Sequence, residues 1–134
     1  MGTIVVGYVP KPEGRAALRR AAEEASLRNS KLIVVNSHRG GREFDRDDAL
    51  DTEEQLEEVR TELRNAGVEH EIRQLVRGMD PAEDLVNVAT EVGAEFIVIG
   101  LRRRSPVGKL ILGSNAQRVL LDAQCPVLAV KATE

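Results

Sequence analysis

Short aliphatic runs alternate along the chain with stretches in which apolar residues recur every three or four positions. Thr3–Val9, Lys31–Ser37, Phe96–Ile99 and Pro126–Val130 are rich in Val and Ile. Continuous aliphatic runs of this length suit strands covered on both faces, as in a parallel sheet. Val68–Val76 differs, because His70, Ile72 and Gln74 alternate with the charged Glu69, Glu71 and Arg73. That pattern predicts a more exposed strand at a sheet edge.

Helical spacing fills the intervals. Leu18, Ala21, Ala22 and Ala25 form one stripe, with charged residues on the opposite side. Leu56, Val59, Leu63 and Ala66 form a second, opened by Thr52-Glu53-Glu54-Gln55 as a capping box and closed by Gly67. Ala82, Leu85, Val86, Ala89 and Val92 form a third; Asp80 is its N-cap, Pro81 its first helical residue, Glu83 its third, and Gly93 its end. Ala116, Val119, Leu120 and Ala123 form a fourth, with Ser114 as N-cap and Gln117 as the capping partner. The order β-α-β-α-β-α-β-α-β predicts an α/β fold, an open five-stranded parallel sheet wound on both faces into three layers. His38 to Asp48, with Gly40, Gly41 and several charges, reads as a mobile loop before the second helix. With 134 residues and neither linker nor internal repeat, the chain reads as a single domain over residues 1–134.

Composition narrows the function classes. Aromatics make up 2% of the chain, so the core is aliphatic and the stacking platforms used on single-stranded nucleic acid are missing. A net charge of -3 also argues against coating DNA, and no nucleic-acid partner is expected. The single Cys125 excludes an internal disulfide and reads as a small packed residue. His38 and His70 stand on separate segments, and the acids from Asp45 to Asp51 lack the spacing of a calcium loop, so no protein-borne metal site is expected. No apolar run approaches the roughly 18 residues of a membrane span, and Met1 leads directly into the first strand. The expectation is a soluble cytoplasmic protein without a membrane partner.

Ligands of doubly wound sheets bind beyond the carboxyl ends of the strands, where the strand order reverses. The segment after Ile99 carries the chemistry for an anion. Gly100 leaves the strand, Arg102, Arg103 and Arg104 follow, and Gly113-Ser114 opens the next helix. A helix start offers free N–H groups and a positive dipole end, and the arginines add charge suited to phosphate. The same residues also fit an ordinary N-cap after a solvated loop. No GxGxxG follows the first strand, and Arg103 and Leu110 stand where a P-loop around Gly108-Lys109 would need Gly and Ser or Thr.

Gly100…Gly113-Ser114 followed by Cys125-Pro126-Val127-Leu128-Ala129-Val130 resembles the universal stress protein (UspA-like) family. Ile4-Val5-Val6-Gly7, Gly14–Leu18 and Gly78–Glu83 extend the resemblance along the whole chain. It implies a Rossmann-like sheet of the adenine-nucleotide alpha hydrolase-like kind. It also implies a homodimer paired through the last strand, here Pro126–Val130, and ATP or AMP as ligand, with no metal beyond Mg carried by the nucleotide. On the family pattern G-x2-G-x9-G-[ST], Gly100 fills the first glycine and Gly113 and Ser114 the final pair, with Asn115 following. Arg102 and Arg103 would assist the phosphates. Arg103 replaces the second glycine, and Val9 replaces an Asp expected after the first strand. The anion-binding half is thus retained and the nucleoside half altered, with Tyr8 placed to stack on adenine or to plug its pocket. Two readings stay open: a regulatory module holding an adenine nucleotide or another anion, and a scaffold of the same fold acting through protein partners. No base or metal carboxylate can be placed beside Ser114, which ranks a slow ATPase last.

Overall fold

The structure, a computed structural model, describes residues 2–38, 46–76, 80–102 and 112–132. The elements in chain order are β1 (Thr3–Gly7), α1 (Pro12–Arg28), β2 (Lys31–His38), α2 (Arg46–Asn65), β3 (His70–Val76), α3 (Pro81–Val92), β4 (Phe96–Leu101), α4 (Ser114–Asp122) and β5 (Val127–Lys131). The strands lie in the order β3-β2-β1-β4-β5, and every pairing is parallel. β1 is central, with Ile4 beside Leu32 of β2 on one side and Phe96 of β4 on the other. Strand order reverses there, which puts the switch point at the carboxyl ends of β1 and β4.

Alternate residues of each strand face opposite layers. Ile4, Val6, Leu32, Val34 and Val98 pack against Ala17, Leu18, Ala21 and Ala25 of α1 and Leu56, Val59 and Leu63 of α2. Val5, Ile33, Val35, Ile97 and Ile99 pack against Ala82, Leu85, Val88 and Ala89 of α3 and Val119 of α4. Burial on both faces explains why β1, β2 and β4 read as unbroken aliphatic runs. β3 lies at an edge, as its alternation predicts.

Local signals account for most boundaries. Asp80 caps α3, its Oδ1 accepting the Ala82 N–H at 3.0 Å. Gly67 and Gly93 follow α2 and α3 with φ of 70° and 63°, the left-handed backbone that glycine adopts without strain. The start of α2 departs from expectation. It begins at Arg46, so Thr52 lies inside the helix and does not cap it. Of the loop expected from His38 to Asp48, residues 46–48 are therefore helical, and 39–45 lie outside the described residues. Leu120 is 42% exposed, so the buried face of α4 narrows to Val119, flanked by Ala116 and Ala123.

Candidate functional site

Beyond the carboxyl edge of the sheet, the ends of β1, β2 and β4 meet the first turns of α1, α3 and α4 around a cavity of about 210 Å³. That exceeds the roughly 150 Å³ cavity known to accept a benzene ring. Its walls include Gly7 at the end of β1 and Val9 beyond it, Val35 and Ser37 of β2, and Ile99 and Gly100 of β4. Glu13 and Gly14 of α1, Ala82 and Leu85 of α3, and Asn115 of α4 complete them.

Close backbone approach shapes the β1–α1 corner. A Cβ on Gly100 would lie 2.0 Å from the Glu13 carbonyl oxygen, and one on Gly14 would lie 1.8 Å from that of Val9. These glycines let the first turn of α1 settle against the end of β4. Gly100 does not leave the strand as expected, because β4 runs on through it to Leu101. The corner is held by the Lys11 N–H donating to the Val9 carbonyl at 2.8 Å and the Asn36 Nδ2 donating to the Tyr8 carbonyl at 3.3 Å.

Electrostatics distinguish the three helix starts. α1 carries Glu13 in its first turn, and α3 carries Glu83 and Asp84 besides its Asp80 cap. α4 has no acid in its first turn. Gly113 is its N-cap, with φ −70° and ψ 165°, and no side chain caps the helix. Ser114 is therefore the first helical residue, contrary to its expected N-cap role, and its hydroxyl is not spent as a cap. The first helical bond runs from the Gln117 N–H to the Gly113 carbonyl at 3.0 Å, which leaves the N–H groups of the preceding turn without helical acceptors. Gln117 Nε2 donates to the Leu112 carbonyl at 3.2 Å. Arg118 on α4 donates to Asp80 Oδ2 at 2.6 Å and ties the starts of α3 and α4 together.

Of the residues singled out from sequence, Gly100 and Asn115 line the cavity. Gly113 and Ser114 immediately precede Asn115 at the α4 start, and Arg102 is exposed just past β4. Arg103 lies outside the described residues. Ser37 and Glu13 were not singled out, although both sit where strand-end and helix-start reasoning points. Tyr8 borders the cavity, but it is 6% exposed and belongs to the α1–α2 core with Leu18 and Val59. Burial pushes its phenol above the ordinary value; Arg15 opposes this, and Glu58 and Glu62 add to it.

A raised phenol pKa means that the folded chain keeps its proton where the unfolded chain has lost it. The stability it contributes is complete below the ordinary value of about 10 and disappears as pH rises through the folded value. Thermal melts across that alkaline window should fall more steeply for the natural protein than for Tyr8→Phe. The chain has one Tyr and no Trp, so tyrosinate absorbance reports this group alone. An ordinary midpoint would contradict the burial argument.

Cys125 packs at the margin of the α3–α4 core, and burial pushes its thiol up, which lowers the thiolate fraction a nucleophile needs. Among the described residues, no group of three or more His, Cys, Asp or Glu could hold a metal ion. No described helix is long and apolar enough to cross a membrane.

The sequence model of the Universal stress protein family matches residues 1–131. The chain belongs to the universal stress protein family. A universal stress protein of Mycolicibacterium smegmatis is 47% identical to it over 128 residues, covering 96% of each chain. The solved universal stress protein from Archaeoglobus fulgidus superposes with a TM-score of 0.86 at 43% identity, covering 98% of this chain and 99% of that one. A second universal stress protein structure from Archaeoglobus fulgidus, in complex with dAMP, has a TM-score of 0.80 at 37% identity over 98% of both chains. The open parallel sheet expected from the sequence is thus the fold of this family.

Proposed function

We propose that this universal stress protein binds an adenine nucleotide, ATP or AMP, in the switch-point cavity and acts as a cytoplasmic regulatory module, not a catalyst. The carrying observation is the α4 start: it alone among the three helix starts bears no acid, and it opens on a cavity of about 210 Å³. Phosphate oxygens would accept from the N–H groups and hydroxyl of Ser114 and from Asn115, next to Gly113 and Gly100. Arg102 and Arg103 add positive charge from the segment after β4, and any Mg arrives with the nucleotide. Glu13, the one charged residue among the described residues lining the cavity, serves as the ribose acceptor that Val9 cannot be. The dAMP complex of the Archaeoglobus fulgidus relative supports this reading. Residues 1–134 then act as one domain. Two copies pair through Pro126–Val130, because β5 ends the sheet and leaves its outer edge open to a symmetry mate.

Calorimetric titration with ATP and AMP should give saturable binding, weakened about tenfold in Ser114→Ala, the effect of losing one hydrogen bond to a charged group. Sedimentation of the same samples should show a dimer. Absence of both heat and thermal shift at millimolar nucleotide overturns the binding proposal.

A further inference from the structure

We propose that Arg118 is a positioning residue: held by Asp80, it fixes the α4 start over the cavity and so sets phosphate affinity without touching the ligand. This rests on the nucleotide-binding reading and adds a pair of residues to it. α4 needs such a tie. It is nine residues long, and Val119 is its buried residue. Ala116 and Ala123 pack only partly, and Leu120 and Leu121 are exposed. A helix this short is marginal by itself, so tertiary contacts decide where its first turn lies. Hydrophobic contact is non-directional, and burial around one valine keeps α4 on the sheet without fixing its rotation.

Arg118 supplies the directional bond. It follows Ser114 by one helical turn, on the same side of α4, and helical side chains lean toward the N-terminus. Its guanidinium donates to Asp80 Oδ2 at 2.6 Å. Among the described residues, no other side chain of α4 hydrogen-bonds to another helix or strand. Asp80 is itself fixed, because its Oδ1 accepts the Ala82 N–H at 3.0 Å as the α3 cap. α3 is anchored in turn by its buried Ala82, Leu85, Val88 and Ala89. The weakly buried helix thus takes its rotation from the start of a firmly packed one. Hydrogen bonds weaken steeply with misalignment, so a turn of α4 that swings the Ser114 and Asn115 N–H groups aside costs phosphate affinity. The Arg118 and Asp80 side chains are 45% and 21% exposed, so the pair adds little to overall stability and its variants should stay folded.

ATP or AMP, whichever the natural protein binds more tightly, is titrated calorimetrically well below the melting temperature. The full chain is used as the natural protein, Arg118→Gln, Arg118→Lys, Asp80→Asn and the double variant Asp80→Asn with Arg118→Gln. Asn caps a helix as well as Asp does, so Asp80→Asn removes the ion pair and keeps the α3 cap. Arg118→Gln and Asp80→Asn should each weaken binding about fivefold, the upper end for a partly exposed ion pair. The double variant should be no weaker than either single one, because both break the same tie. Arg118→Lys keeps a cation for Asp80 and should recover most of the affinity, a rescue that a change in fold stability would not produce. Losses that multiply in the double variant mean that the two residues act separately, and they overturn the inference. Unchanged affinity in Arg118→Gln, or tighter binding in Asp80→Asn, also overturns it; all three results leave nucleotide binding intact. Failure of the natural protein to bind either nucleotide at millimolar concentration overturns the inference together with the reading beneath it.

Discussion

Replacing Gly100 with alanine is expected to destabilise the ligand-free protein by about 3 kcal/mol, the upper part of the usual range for overpacking. The added methyl would meet the Glu13 carbonyl at 2.0 Å for its oxygen and 2.6 Å for its carbon. Those atoms are backbone, so no side chain can swing aside. The first turn of α1 is fixed by the Arg15 N–H donating to the Lys11 carbonyl at 2.9 Å. On the other side, Gly100 is fixed in the ladder opposite Val130. One of these has to yield. In a domain of this size the melting temperature should fall by about 10 °C, measured by thermal denaturation without nucleotide. A variant that melts normally yet no longer binds nucleotide would return Gly100 to the ligand role suggested by its place in the family pattern.

Ile97→Ala should cost about 2–5 kcal/mol, the range for large-to-small changes at sites that cannot collapse. Ile97 is 0% exposed and lies in β4 between Val5 of β1 and Val127 of β5. Its side chain belongs to the core shared with α3 and α4. Strands on both sides and helices above prevent the backbone from closing the void. Set against a total stability of about 5–15 kcal/mol, this loss should unfold a visible fraction at moderate temperature. Urea denaturation should show a lower midpoint with an unchanged slope, and Ile97→Val should lose only about 0.5–1.5 kcal/mol. A loss below about 1 kcal/mol for the alanine variant would contradict close packing at this site.

The architecture was legible because strands buried on both faces leave continuous aliphatic runs, and because Asp80, Gly67 and Gly93 mark helix ends with local chemistry. The start of α2 was not, since Thr52 and Gln55 satisfy capping spacing by themselves. The acidic run before Thr52 reads in sequence as a solvated loop, which hides the helix start at Arg46. Ser114 drew the cap assignment through its hydroxyl, whereas the extended backbone before the helix belongs to Gly113. Tyr8 follows Ile4 and Val6 at steps of two, a parity that assigns it to the α1–α2 face and that the ligand-side expectation passed over. Glu13 and Ser37 join one cavity only through the strand order, and no local pattern carries that information. The same holds for Gly100, whose neighbour across the corner is the carbonyl of a residue near the other end of the sequence.

The central place of β1 bears on how the molecule is made. A strand made before both of its neighbours has two edges to fill, and β2 follows soon enough to occupy one. The other waits for β4, well into the second half of the chain. Pairing across such a span is slow, and an open strand edge on a growing chain invites wrong partners. The cavity needs β1, β4 and α4 together. A chain that stops before α4 therefore cannot complete the cavity, whatever strands it has already paired.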